Sequence, residues 1–420
     1  MNPKRIILIL TSIALVSFLF LDHTHWRYAI GPLHNLGLGY PFPDMQARLG
    51  MAEGVAEGID VNREQNPYTG NDVLNNKPLY TLHVLSFFNI GVEDIIPMGV
   101  FFGCAFMLWN FYLLRPERWI ELCLHAMVLL SPPVLLLFQR GNDDIIVYSL
   151  ILFVPLLLMM KSRMGQLAGW AVIGFLTPVK YFPAAAYVLF LYLAPLRRFI
   201  VITFGTLAYG LFVYLCIRGE LESSLLDRIP SPPISTSIGG VAFFQSFILT
   251  LGLSHYCAWA AFLVILGSAV IFALRGRPLK QTENMKENLY FILGFSLFAF
   301  CFTLNNNWDY RLAFLVPTLP LMTKWLRSKE TRLMLLTGLY LLPLLFVLWS
   351  EYLFFFSVFD PSSGWHFNKA EHFRVIRIRH GLSWILFGTG LHILALLMFS
   401  HAPTLKMLFG KQNKPGLEAS

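Results

Sequence analysis

Charge is what this chain has least of. Only 13% of its 420 residues are Asp, Glu, Lys or Arg, against roughly 25% in a soluble domain, which excludes a water-exposed surface over most of its length. Polar stretches reach only about a few tens of residues, so no separate soluble domain is visible and residues 1–420 read as a single integral membrane domain. Cysteine is also sparse. Cys104, Cys123, Cys216, Cys257 and Cys301 stand in or beside apolar runs without metal-ligand spacing, which excludes a disulfide framework and a cysteine-based zinc site and leaves them as small buried hydrophobes. The chain shows no two halves with matching charged or Gly/Pro positions, the mark of a repeat-built transporter.

Apolar residues make up 56% of the chain and the mean hydropathy is +0.59. Apolar runs recur throughout, and about 20 such residues span the hydrocarbon as a helix. The expected fold is all-α, with about twelve transmembrane helices near 6–21, 95–114, 119–138, 144–160, 165–179, 182–196, 199–217, 257–274, 288–304, 310–324, 331–350 and 382–400. Segments 79–91 and 241–253 are too short to span and read as interfacial or re-entrant. The N-terminal run resembles a secretory signal, but Asp22-His23-Thr24-His25-Trp26 offers no small-residue cleavage site, so an uncleaved anchor is expected. With the N-terminus in the cytoplasm, 19 of the 32 Lys and Arg and 6 of the 24 Asp and Glu fall on the inner side. Every short inner loop then obeys the positive-inside rule, which puts both termini in the cytoplasm. The net charge of +8 reflects that bias, and no nucleic-acid partner is suggested.

Polar residues without an anchoring role collect on the outer face. The long first loop, 22–78, contains Pro43-Asp44, a stretch rich in small residues up to Gly58 that suits a short surface helix, and Asn66-Pro67-Tyr68. Asp44 has a plain reading as a helix-start acid favoured by the dipole. Farther on come Gln139-Arg140-Gly141-Asn142-Asp143-Asp144, a break around Lys180 flanked by Pro178 and Pro183, and Asp309-Tyr310-Arg311. Arg140, Lys180 and Arg311 each have the plain reading of a cation snorkelling to the interface; facing one cavity, they would suit a phosphate. Asn142 is placed to cap a helix with Asp143 and Asp144 in its first turn. A last outer loop, 350–380, interleaves aromatic and basic residues including His366, His372, Arg374, Arg377 and Arg379. That composition fits headgroup anchoring, or a lid over an anionic lipid head.

In order and topology, Pro43-Asp44 with its small-residue helix, Asn66-Pro67-Tyr68, Gln139 to Asp143, the Lys180 break and Asp309-Tyr310-Arg311 with Pro317 and Pro320 resemble the GT-C polytopic glycosyltransferases. Glycosyltransferase family 87 is the member most similar. The resemblance covers most of the chain, and its motifs are short. One departure is Lys77-Pro78-Leu79-Tyr80, where the family often carries paired prolines. The resemblance implies transfer of mannose or a related sugar from a polyprenyl-phosphate donor to a glycolipid or glycan acceptor hydroxyl, at the outer face of a bacterial plasma membrane. Asp44 would be the catalytic base. Lys180, Arg311, Arg140, His366 and His372 are the candidates for the donor phosphate, and Tyr68, Asn142, Asp143, Asp309 and Tyr310 for substrate contact. No cofactor is called for; a divalent metal is compatible but not required, because side chains can neutralise a monophosphate. Two alternatives stay open at this level: a multispanning lipid or solute transporter, and a surface-polysaccharide polymerase or ligase that would use a lipid diphosphate. Sugar, acceptor and oligomeric state are not legible.

The charge bias generates a direct test. A cysteine introduced near Asn66 is expected to react with a membrane-impermeant thiol reagent added from outside, whereas labelling only after permeabilisation would reverse the topology.

Overall fold

The computed structural model describes residues 2–21, 42–62, 64–69, 79–160, 162–220, 237–247, 250–276, 279, 285–304, 309–358, 369–403 and 405. Among them the chain is helical, without a strand. The helices are α1 (Pro3–Leu21), α2 (Pro43–Ala56), α3 (Leu79–Phe87), α4 (Ile95–Leu113), α5 (Trp119–Leu129), α6 (Pro132–Arg140), α7 (Asp143–Ile151), α8 (Phe153–Met159) and α9 (Arg163–Val179). They continue as α10 (Val188–Leu193), α11 (Leu196–Glu220), α12 (Gly240–Gln245), α13 (Leu251–Arg275), α14 (Met285–Thr303), α15 (Leu319–Leu326), α16 (Thr331–Val358) and α17 (Lys369–His401). Tighter 3₁₀ turns run over Phe182–Tyr187 and Asp309–Thr318.

Five helices among the described residues are long and apolar enough to cross a membrane, and six if the α5–α6 pair, bent by 46° at the break between Leu129 and Pro132, is one span. This marks an integral membrane protein. The expected count of twelve is not reached on length and composition: the helices at 6–21, 165–179 and 199–217 fall short on these measures, and three apolar runs are broken. The run at 144–160 divides into α7 and α8, that at 182–196 into a 3₁₀ turn and α10, and that at 310–324 into a 3₁₀ stretch and α15. Of the two short segments, 79–91 forms the nine-residue α3, while 241–253 divides between α12 and the start of α13.

Burial separates the roles of the long helices. The apolar window of α14 is 72% buried and that of α13 only 17%, so α14 is the core post and α13 offers most of its surface to lipid. Phe291, Phe295, Phe298 and Phe302 of α14 are fully buried, and Phe302 stacks on Phe387 of α17 with ring centroids 4.5 Å apart. Against α14 lies Asp309–Thr318, all ten residues of which are buried. A 3₁₀ run longer than three or four residues is uncommon because its hydrogen bonds are poorer, and at membrane depth such backbone is tolerated only inside protein.

The loop read over 350–380 is much shorter than the sequence suggests. Its limits, 350–380, are overtaken by α16, which continues to Val358, and by α17, which starts at Lys369. The reason is visible in 369–383, where no Pro occurs and Ile376, Arg379, His380 and Ser383 are buried at helical spacing. His372 falls in the first turn of α17, and His366 lies outside the described residues.

Two glycines generate a paired prediction. A Cβ at Gly294 of α14 would stand 2.5 Å from the backbone carbonyl oxygen of Phe314, whereas one at Gly267 of α13 meets nothing within 4 Å. Gly294→Ala is expected to cost about 1–3 kcal/mol by forcing the 3₁₀ segment aside. Gly267→Ala should be neutral or stabilising by roughly 0.5–1 kcal/mol. Thermal unfolding of the two purified variants in detergent checks both signs.

Candidate active site

The site forms where three backbone irregularities meet. Helix α6 ends at Arg140, and Gly141 takes up the left-handed conformation (φ 56°) that reverses the chain. Asn142 then caps α7, its side-chain oxygen accepting from the Asp144 N–H at 2.9 Å. Opposite this notch, α2 begins with Phe42 also left-handed (φ 60°, ψ 50°), a conformation costing a non-glycine residue about 1–2 kcal/mol. The surroundings hold it there. The Phe42 N–H donates to the Gln139 carbonyl at 3.0 Å, its own carbonyl accepts from the Gln46 N–H at 2.9 Å, and its ring is buried beside Gly99 and Gly141. The effect is to carry Asp44, two residues on, to the junction of α6 and α7.

Arg140 grips Asp44 with two parallel bonds, Nε to Oδ2 at 2.8 Å and Nη2 to Oδ1 at 2.6 Å. Such a fork is the strong, directional form of a charged hydrogen bond. The Asn142 amide nitrogen donates to Asp44 Oδ2 and to the Tyr310 hydroxyl, the latter at 3.3 Å. Its oxygen accepts from Lys180 Nζ at 3.4 Å in addition to the capped Asp144 N–H. Asn142 therefore fills all four of its hydrogen-bonding positions and links Asp44 to the deeper half of the site. There the Asp144 carboxylate, fully buried, is paired with Lys180 Nζ at 2.9 Å and Arg311 Nε at 2.9 Å. Arg311 also donates to the Tyr181 hydroxyl at 3.1 Å. Beside this network Asp309 pairs with Arg379 of α17 at 2.6 Å, and Arg379 donates to the Ser237 carbonyl as well.

This geometry replaces the plain readings of several residues. Asp44 is the second residue of α2, and the helix start has no side-chain cap bond; its carboxylate goes to Arg140 and Asn142 instead. Lys180 and Arg311 do not snorkel. Both are buried and joined to Asp144. Lys180 sits at the end of α9 in extended backbone (φ −145°, ψ 137°), so the break flanked by Pro178 and Pro183 turns its side chain inward. Exposure orders the three cations: 19% for Arg140, 8% for Lys180 and 4% for Arg311.

Among the other candidates, Asn142, Tyr310 and the Asp309 pair belong to the same region, and half-buried Asp143 adjoins it with a field that reaches Lys180. Tyr68 does not. Its hydroxyl donates to Glu57 at 2.6 Å, at the far end of α2 from Asp44, and that bond holds the phenol above its usual pKa. Asn66-Pro67-Tyr68 works as a clasp on α2: the Asn66 amide donates to the Gly50 carbonyl at 2.8 Å, and a Cβ at Gly50 would strike the Tyr68 carbonyl at 2.3 Å. Reading the sequence missed three participants, Asp144 as the charge that the cations share, Tyr181 and Arg379. Tyr181 follows Lys180 directly, which was a usable signal; Arg379 is some 70 residues from Asp309, and nothing local connects them.

Chemically, the site offers a carboxylate with spare capacity. An ionised carboxylate has about four lone-pair positions; Asp44 uses two on Oδ2 and one on Oδ1, and its side chain is 21% exposed. Lys180 has three N–H donors and two acceptors, Asn142 and Asp144. A proton acceptor and an unspent cationic donor thus share one partly open cluster. Among the described residues, no group of three or more His, Cys, Asp or Glu is arranged to hold a metal ion.

Removing one member of a buried ion pair strands its partners, so Asp144→Ala is expected to destabilise the protein by about 3–5 kcal/mol. Deleting the exposed Lys324–Glu287 pair should cost at most about 1 kcal/mol. Unfolding midpoints of the two variants provide the comparison. No protein-family model, curated protein or solved structure matches this chain.

Proposed function

We propose that the protein is a GT-C-type glycosyltransferase that moves a sugar, mannose or a related one, from a polyprenyl-phosphate donor to an acceptor hydroxyl at the outer membrane face. The observation that carries this reading is the convergence of the first-loop carboxylate Asp44 with Arg140, Asn142, Lys180 and Arg311 in one network. These are the residues on which the family resemblance rests. In this reading α1, α9, α11 and each broken helix pair are taken as further passes, which gives the twelve of the sequence reading with both termini on the cytoplasmic side. The donor comes from the membrane and the acceptor is a glycolipid or glycan.

In the proposed step the acceptor oxygen attacks the anomeric carbon, and the bond from that carbon to the phosphate oxygen breaks. The electron pair leaves with the polyprenyl phosphate. The hydroxyl proton passes to Asp44 Oδ1, the oxygen with only one bond, as general base. Negative charge growing on the phosphate is met by Arg140, the most exposed cation, and by the remaining N–H of Lys180. Arg311, more deeply buried, acts through Asp144, which it holds in place for Lys180. A divalent metal has no required part in this scheme.

Transfer from a panel of labelled polyprenyl-phosphate sugars by the purified protein tests the reading. Asp44→Asn keeps the side chain's shape and an oxygen for Arg140 but removes the proton acceptor, and transfer should fall by about 10² to 10⁴ while donor binding persists. Near wild-type transfer with donor bound would remove Asp44 from the role of base. Use of a lipid diphosphate donor alone would point to the polymerase or ligase class, and lipid translocation without transfer to a transporter.

A further inference from the structure

A second polar site lies at the other end of α14, where a cavity of about 260 Å³ opens among the ends of α4, α5, α14 and α15. That helix has 19 residues and is about 28 Å long. Four cations line the cavity: Arg115, Lys286, Lys324 and Arg327. Two are neutralised locally. Arg327 is held by Glu117 and by Glu121, the latter through Nε at 2.6 Å, and Lys324 by Glu287 at 3.3 Å. Arg115 and Lys286 are not: among the described residues neither has a carboxylate within ion-pair distance. Both lie instead over the ring of Tyr112, Lys286 Nζ at 3.9 Å and Arg115 at 5.3 Å from its centroid. The cavity also borders His125, which is 1% exposed and has no hydrogen-bond partner on either ring nitrogen. A buried imidazole without a partner forfeits its hydration and gains nothing in return.

We propose that this cavity binds a phosphate group, with Lys286 and Arg115 supplying the charge and His125 an N–H donor. The three features have one common remedy, an anion rich in acceptor oxygens. Its volume of about 260 Å³ lies just under the roughly 300 Å³ at which small-molecule pockets begin, which suits a phosphorylated headgroup or a free phosphate. None of these residues belongs to the Asp44 network, so the site stands or falls separately from the transferase reading.

The experiment uses the full chain in detergent, with thermal unfolding followed as inorganic phosphate is titrated against chloride at matched ionic strength. In parallel, native mass spectrometry after reconstitution with phosphatidylglycerol or phosphatidylcholine measures retained lipid. Stabilisation by phosphate that weakens about tenfold to a hundredfold in affinity in Lys286→Met and in Arg115→Gln identifies a site open to free phosphate. Selective retention of phosphatidylglycerol, lost in the same variants, with no response to inorganic phosphate, identifies a lipid headgroup. If neither ligand is preferred by the wild type, or if both variants bind as the wild type does, the proposal is wrong. Should a variant fail to fold, His125→Phe provides an independent test, since it removes the donor without touching a charge.

Discussion

The fully buried Asp144 carboxylate is the constraint on which the rest of this structure turns. An ionised carboxylate removed from water is tolerable only if it is paired and hydrogen-bonded, and here its partners arrive from two distant parts of the chain, Lys180 at the end of α9 and Arg311 in the 3₁₀ segment. Each partner must leave regular helix geometry to reach it. The extended backbone at Lys180 and the ten-residue 3₁₀ run at Asp309–Thr318 are thus explained together with the charge they surround.

Irregular backbone in a membrane protein has to satisfy its polar groups inside the protein. The left-handed residues Phe42 and Gly141, the break at Lys180 and the buried 3₁₀ segment all lie around the same network, which satisfies their polar groups together. Asn142 joins its two halves. With all four hydrogen-bonding positions occupied, it passes the orientation of the deep Asp144 group to the shallower Asp44, which gives the partly open carboxylate a fixed direction. Rigid placement of this kind is what acid–base and electrostatic catalysis both need.

The opposite end of the bundle is built differently. Asn2 and Lys4 of the N-terminal segment bond to the Pro116 and Glu117 carbonyls, and Arg327 reaches Glu117 and Glu121, a set of exposed and part-buried contacts that ties helix ends together. Around Tyr112 the cations exceed the carboxylates that hold them. One end therefore joins its charges in one network, while the other leaves two cations without a carboxylate partner, among the described residues, beside a histidine that has no hydrogen-bond partner.

Composition alone determined that this is a helical membrane protein, because a chain with so few charges and repeated apolar runs has no soluble alternative. Local chemistry also determined the cap at Asn142, the helix start at Pro43-Asp44 and the break between Pro178 and Pro183, each of which depends on neighbours within a few residues. It misjudged the region 350–380, where aromatic and basic residues read as a loop yet lie largely on helices α16 and α17, since amphipathic spacing there is set by what the helix packs against. The pairing of charges was decided by the tertiary structure. Arg140 with Asp44, Arg311 with Asp144 and Arg379 with Asp309 are contacts between residues 96, 167 and 70 positions apart, and an ionic side chain carries no local mark of its partner. Sequence could name most of the polar residues of the site; only the fold could say that Tyr68 stands apart from them, and that the cations were already joined to carboxylates.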